Sequence, residues 1–247
     1  MRSSAAGEAI VTLPPRCAAC NVRDDALCAT LEDAGLVALH GIGRRRTMPA
    51  GQVLVWSGDP NAICATVVSG VLKAMRAGPQ GREHIVGLAF AGDFVGDLFA
   101  DTANETIRVI TDAELCVYPR AALQRMLDAH PAMERLLLHR ALGALDDARM
   151  WMLMLGRKAA GARIATFLLE MARRMGQPGP ARFDLPMSRS EVGALLGMTI
   201  ETVSRQMTSL KRRGVVALPG GRGVIILDRA LLARAAAGWS DSVRSGC

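Results

Sequence analysis

The stretch from Ser188 to Arg213 constrains this chain most. Ser188 is followed three residues later by Glu191, a pairing that satisfies orphan amides at a helix start. A short helix beginning there carries Val192, Leu195 and Leu196 inward and stops near Gly197, whose access to positive φ suits a sharp turn between helices. Thr199 caps a second helix over residues 200–213. That helix places Ile200, Val203, Met207 and Leu210 on its buried face and Glu201, Thr202, Ser204, Arg205, Ser209 and Arg212 elsewhere. Two helices joined this way form a helix-turn-helix. Past Gly214, apolar residues 215–218 and 224–227 flank Pro219-Gly220-Gly221-Arg222-Gly223, a hairpin that adds a wing.

Charge points to the partner. Residues 157–247 hold 15 basic side chains against 6 acidic, whereas residues 1–156 hold 15 against 17. A basic excess confined to one part of a chain is expected of a module that meets a polyanion, and double-stranded DNA is the first candidate beside a merely solvated basic surface. Glu201, Ser204 and Arg205 project together because their spacings are three and four. Arg205 suits guanine O6 and N7, Glu201 suits a cytosine amino group, and Ser204 suits either a hydrogen bond or a small-side-chain contact. The alternative for Glu201 and Arg205 is an intrahelical ion pair worth roughly a few tenths of a kcal/mol. Thr199 and Arg189, at the two helix starts, join them as candidate DNA-binding residues. Lys211, Arg212, Arg213 and Arg222 are candidate phosphate contacts, which set affinity without reading sequence.

The rest of the 247 residues reads as two further kinds of structure. The first sixteen residues show no period and form a loose arm. Residues 52–56, 62–75, 84–90 and 106–118 are rich in Val and Ile and read as strands. Turn chemistry separates them at Gly58-Asp59-Pro60, at residues 77–81 and at Gly92-Asp93, which favours a β-sandwich or barrel. After Arg120 the composition turns to Ala, Leu, Met, Arg and Asp, with Pro131 at a first helical position. A helix from there to residue 155 spans roughly 36 Å. It carries one apolar line through Leu137, Ala141, Ala144, Ala148, Trp151 and Leu155 and a second through Leu138, Leu142, Leu145 and Met152. Two seams allow one to face the strands and the other an identical helix in a homodimer, unless one chain buries the helix all round. Residues 157–182 continue as helix and stop at Gly176-Gln177-Pro178-Gly179-Pro180. No apolar run is long enough to cross a membrane, and no signal peptide is evident, so the expected location is the cytoplasm.

Six cysteines in a reducing compartment point away from disulfides. Cys17, Cys20 and Cys28 form a CxxC followed by a third cysteine, a spacing that serves zinc, an iron-sulfur cluster or thiol redox chemistry. Cys64 lies in a strand segment and Cys247 ends the chain, so both are expected to be non-ligands. His40, His84, His130 and His139 share no metal spacing. No P-loop, dinucleotide fingerprint, HExxH or nucleophile elbow occurs, which argues against an enzyme.

The segment Leu196-Gly197-Met198-Thr199-Ile200-Glu201-Thr202-Val203-Ser204-Arg205 resembles the recognition helix of the CRP/FNR family of bacterial transcription regulators. Val68-Ser69-Gly70 and Gly92-Asp93-Phe94-Val95-Gly96 resemble that family's effector domain. The likeness implies an α+β fold: a cysteine-rich arm over residues 1–28, a cyclic-nucleotide-binding-like β-roll (jelly-roll) sensor domain over 29–120, a dimerisation helix over 121–156 and a winged helix-turn-helix over 157–247. It implies that Glu201, Ser204 and Arg205 read TTGAT-type half-sites of a palindromic operator and that RNA polymerase is a further partner. The FNR branch implies an oxygen-labile [4Fe-4S] cluster held by Cys17, Cys20, Cys28 and Cys116, the last in Leu115-Cys116-Val117-Tyr118-Pro119. The arm has a longer gap before its third cysteine than the type member. Gly96-Asp97-Leu98 keeps part of the family's phosphate-binding turn, but residues 99–105 hold no arginine, so no cyclic nucleotide is expected.

Overall fold

A computed structural model describes residues 12–78, 83–175 and 182–238. The expected stop at Gly176 to Pro180, part of the expected turn at 77–81, most of the amino-terminal arm's first residues and Cys247 lie outside the described residues. The chain forms two compact units, one from residues up to 74 together with 87–141, the other from 75–86 together with 142 onward.

The first unit begins with α1 (Pro15–Ala18), two 3-10 turns (Arg23–Asp25 and Leu27–Thr30) and α2 (Asp33–Ile42). Strands follow as β1 (Arg44–Met48), β2 (Val53–Val55), β3 (Ile63–Ser69), β4 (Leu72–Ala77), β5 (Glu83–Ala89), β6 (Phe94–Val95), β7 (Thr106–Val109) and β8 (Ala113–Pro119). They make two four-stranded sheets, in the orders β1-β8-β3-β6 and β2-β7-β4-β5. The strands expected over 62–75 and 106–118 are each broken in two, at Gly70-Val71 and at residues 110–112. β1 has no strand signature in the sequence, because three of its five residues are Arg44, Arg45 and Arg46. It is a charged edge strand, the kind of sequence that keeps a sheet edge from pairing with other chains.

Period-two alternation organises β8. Ala113 and Leu115 are buried with Met48, Val67, Leu72 and Val109 between the sheets, while Tyr118 is buried on the other side with residues of α2 and of the next helix. Successive side chains of a strand point to opposite faces, so Cys116 shares the face of Tyr118. That face is covered by α2, by α3 (Arg120–Ala129) and by the first turns of α4 (Pro131–Arg157), with Leu36, Leu39, Leu123, Leu127 and Met133 buried there.

The second unit contains the end of α4, then α5 (Ala160–Met175), β9 (Arg182–Asp184), α6 (Arg189–Leu196), α7 (Ile200–Arg212), β10 (Val216–Ala217), β11 (Gly223–Ile226) and α8 (Arg229–Ala236). The helix expected to run on past 157 is interrupted. The Nε of Arg163 donates to the Lys158 carbonyl at 2.9 Å, and the helix restarts at Ala160. β9 and α8 were not expected. β9 pairs with β11, and β11 with β10, in a small antiparallel sheet. α8 begins at Asp228, whose carboxylate accepts from the Leu231 amide at 2.8 Å.

Candidate DNA-reading helix and cysteine cavity

The helix-turn-helix forms from its own local chemistry. The Ser188 hydroxyl accepts from the Glu191 amide at 3.2 Å, and the Glu191 carboxylate accepts from the Ser188 amide at 2.9 Å, a complete capping box. Gly197 sits at φ 62°, in the left-handed region. The Thr199 hydroxyl accepts from the Thr202 amide at 3.3 Å and caps α7. Val203, Met207 and Leu210 are buried, and so are Val192 and Leu196. Two expected core positions differ: Leu195 is half-buried, and Ile200, in the first turn of α7, is 46% exposed. Gly193 was not singled out by the sequence, yet a Cβ there would stand 2.6 Å from the Met198 carbonyl oxygen. Only glycine lets the turn approach α6 so closely.

Glu201 and Arg205 are exposed on α7, with Ser204 half-buried between them. No ion pair between Glu201 and Arg205 occurs among those described. Glu201 turns back to a backbone amide and the Thr199 hydroxyl, which hold its carboxyl below the usual range. Lys211 and Arg212 are exposed at the end of α7, and Arg189 is half-buried at the first position of α6. Arg222 is exposed at the hairpin, and its Nη1 donates to the Pro186 carbonyl at 2.7 Å.

The two apolar lines of α4 are both largely uncovered. In the first, Leu137 packs with the first unit's core and Trp151 is half-buried, but Ala141, Ala144, Ala148 and Leu155 are exposed. Leu138, Leu142, Leu145 and Met152 are 58%, 53%, 45% and 65% exposed, so the second seam is uncovered.

Cys17, Cys20, Cys28 and Cys116 line one open cavity, together with Arg16, Arg23, His40, Arg45 and Tyr118. Val22 and Ala26 of the arm are buried against Val68 of β3, with Cys20, Cys28 and Cys116 packed beside them, so apolar contact seats the arm over the strand cysteine. Burial pushes the Cys17 thiol up, helped by Cys116 and Cys20. Burial also pushes Cys28 up to about 11, with Cys20, Cys116 and Cys17 adding to it. Cys17 and Cys28 therefore resist becoming thiolates, which a bound cation would reverse. Among the described residues, no three His, Cys, Asp or Glu side chains converge on a position for a single ion. Cys64 is buried and lines no part of this cavity.

Two arginines that sequence patterning did not single out connect the site to its surroundings. Arg45 forks onto Glu114, Nε to Oε1 at 2.6 Å and Nη2 to Oε2 at 3.2 Å, which holds the Glu114 carboxyl below its usual range. Arg140 of α4 donates to the Gly92 carbonyl at 2.8 Å and to the Asp25 carbonyl. Asp25 lies in the arm between Cys20 and Cys28. Neither contact has a sequence signature, because each depends on long-range register.

In the loop after β6, the Asp97 carboxylate accepts from the Phe99 and Ala100 amides at 2.9 and 3.1 Å. Arg120 donates to the Ala100 carbonyl at 2.8 Å.

A capped recognition helix with a wing, in a chain that also carries a β-roll, defines a DNA-binding transcription regulator rather than an enzyme. Residues 162–235 match the Crp-like helix-turn-helix domain, and residues 45–130 match the cyclic nucleotide-binding domain. The chain is 40% identical over 238 residues to the transcriptional activator protein FnrL of Cereibacter sphaeroides, covering 94% of this chain and 96% of that protein. It is 32% identical to the transcriptional activator protein Anr of Pseudomonas aeruginosa, over 86% of this chain and 88% of that one. The structure of FixK2 from Bradyrhizobium japonicum superposes with a TM-score of 0.74 at 29% identity, covering 81% of this chain and all of that one. The chain belongs to the CRP/FNR family of transcription regulators. Among the described residues no helix is long and apolar enough to cross a membrane.

Proposed function

We propose that this protein is an FNR-type regulator that senses oxygen through a [4Fe-4S] cluster held by Cys17, Cys20, Cys28 and Cys116 and binds TTGAT-type palindromes as a homodimer in the cytoplasm. The observation that carries the reading is the gathering of those four cysteines, three from the arm and one from β8, around a single cavity. Thiolates are the ligands such a cluster takes. The donor set is complete without any other side chain. Bound there, the cluster would supply chemistry that oxygen alters. The four-part division into arm (1–28), sensor domain (29–120), dimerisation helix (121–156) and DNA-binding domain (157–247) belongs to the same proposal.

The chain's own residues connect the two ends of this switch. With the four thiolates sharing one centre, the arm is fixed to β8, and the hold of Arg140 on Asp25 ties the arm to α4. The exposed apolar side chains of α4, Leu138, Leu142, Leu145 and Met152 among them, offer a face for the second copy, because burying each large one yields about 1.5–3 kcal/mol. Two-fold pairing would set two α7 helices about one DNA turn apart. There Glu201, Ser204 and Arg205 read bases, while Thr199, Arg189, Lys211 and Arg212 meet the backbone. When the thiolates lose their common centre the arm is less restrained, and the population shifts toward monomers that hold one half-site weakly. RNA polymerase is the further partner. No cyclic nucleotide is needed: Asp97 already occupies the Phe99 and Ala100 amides, and its carboxylate would repel a phosphate.

The test is anaerobic reconstitution with iron and sulfide, followed by metal and sulfide analysis, visible spectroscopy, sizing and binding to a TTGAT-type palindrome before and after exposure to air. The expected result is a coloured dimer that binds and an aerated monomer that does not. A colourless protein that takes up zinc, or one whose binding follows only thiol oxidation, would replace the iron-sulfur reading with the zinc or thiol-sensor alternative.

A further inference from the structure

Three consecutive arginines, Arg44, Arg45 and Arg46, form the edge strand β1. Charged side chains on an edge strand ordinarily face water. The register of β1 on β8 gives Arg45 a different environment, since it stands directly opposite Cys116, and residues so paired share one face of the sheet. Glu114, two positions before Cys116, is on that face as well. Its carboxylate takes Nε and Nη2 of Arg45 in a two-pronged bond, which fixes the plane of the guanidinium. The remaining terminal nitrogen, Nη1, then points at sulfur: 3.5 Å from Sγ of Cys116 and 3.9 Å from Sγ of Cys20. The Arg45 side chain is only 21% exposed, so water screens this charge less than it would a surface cation.

We infer that Arg45, oriented by Glu114, is a positioning residue that lays a fixed positive charge across Cys20 and Cys116, joining an arm ligand to the strand ligand and setting how readily the group they hold is oxidised. This inference rests on the iron-sulfur reading of the four cysteines. A centre ligated by four thiolates carries net negative charge. A cation held against two of the sulfurs stabilises its more electron-rich state, as hydrogen-bond donors beside metal ligands generally do. Arginine suits the task better than lysine, because one guanidinium can bond a carboxylate with one edge and sulfur with the other, and it stays charged at any physiological pH.

The experiment compares the reconstituted wild-type protein with Arg45→Gln, Arg45→Lys and Glu114→Gln. It measures iron content, the midpoint potential of the bound centre and the rate at which its visible absorbance decays in air; circular dichroism checks the fold. Arg45→Gln is expected to move the potential to more negative values and to speed decay in air several-fold. Arg45→Lys, which keeps the charge without the fork, should fall between it and wild type. Glu114→Gln, which frees the guanidinium, should shift both readouts less than Arg45→Gln and in the same direction. Failure of Arg45→Gln to load iron while Arg45→Lys loads would also support the inference. A loaded Arg45→Gln protein with wild-type potential and decay overturns it and leaves the four-cysteine site standing. Loss of loading in both Arg45 variants with the fold intact also overturns it, by reducing Arg45 to packing. A wild-type protein that takes up no iron removes the underlying reading itself.

Discussion

The DNA-reading helices and the cysteine cavity are built by opposite strategies. Most of what shapes α6 and α7 comes from within a short stretch: Ser188 caps with Glu191, Gly197 turns, Thr199 caps again, and a stripe of Val203, Met207 and Leu210 is buried, with Arg163 of α5 adding a bond to the Leu196 carbonyl at 3.0 Å. The cavity is assembled from α1, the arm's turns, α2, β1 and β8. Its donors approach one another only once the sheet register and the seating of Val22 and Ala26 on Val68 are in place. A site made mostly by local sequence needs few long-range contacts to take its shape. A site made from distant segments can come apart in pieces, which is what a sensor needs.

The largest effect expected of any single change tests that contrast directly. Cys116→Ser removes the one predicted ligand outside the arm. Iron uptake after reconstitution and the difference between anaerobic and aerated DNA binding should both be abolished, while circular dichroism and residual non-specific DNA binding stay as in wild type. If the variant still bound a full complement of iron, the cavity would not be the sensing site.

Next in size is the reader. Arg205→Ala should cost about 1–3 kcal/mol of operator affinity, roughly five- to 150-fold, and relax preference at one base pair of each half-site. Lys211→Ala should weaken binding to all sequences and lower the salt dependence by about one ion. Competition assays against scrambled DNA at two salt concentrations separate the outcomes, and equal losses on operator and scrambled DNA from Arg205→Ala would deny it a reading role.

A stability effect of similar magnitude is expected at the helix-turn-helix. Gly193→Ala would place a methyl 2.6 Å from the Met198 carbonyl oxygen, an overpacking that costs about 1–3 kcal/mol. A denaturant midpoint lowered by that amount, with iron loading of the cysteine cavity unchanged, would show that the two regions fail independently. A parallel loss of iron would tie them together.

What was legible in the sequence follows the same division. Ser188, Glu191, Gly197 and Thr199 state the winged helix locally, so its turn and caps fall where the sequence predicts, apart from exposed Ile200 and half-buried Leu195. Arg222 at the hairpin tip is exposed as its charge suggests, but only the fold shows the Pro186 carbonyl within its reach. In the sensor, Cys116 was found through family likeness. β1, Arg45, Glu114 and Arg140 were not read at all, since cross-strand register and carbonyl contacts leave no periodic trace in a chain. Gly193 lies between: a small residue inside a helix is visible, but its reason is a backbone oxygen that becomes close only after the turn is made.

The smallest effect separates Cys64 from the four cysteines of the proposed sensor. Cys64, opposite Tyr118 in β3, is 1% exposed, and burial pushes its thiol up to about 12, with Asp97 adding to the shift and Arg120 opposing it. A group whose folded pKa is raised contributes its full stability below the unfolded value and loses it as pH rises through the folded one. For Cys64 that window opens near the ordinary thiol value of 9.0 and closes near 12. The metal-free wild type should therefore lose stability across the window more steeply than Cys64→Ala, because the other thiols titrate alike in both proteins and cancel in the comparison. Urea midpoints on either side of the ordinary thiol value measure the difference. Parallel pH profiles would mean that Cys64 ionises without penalty, and the packing assigned to it between β3 and the helices would then be wrong.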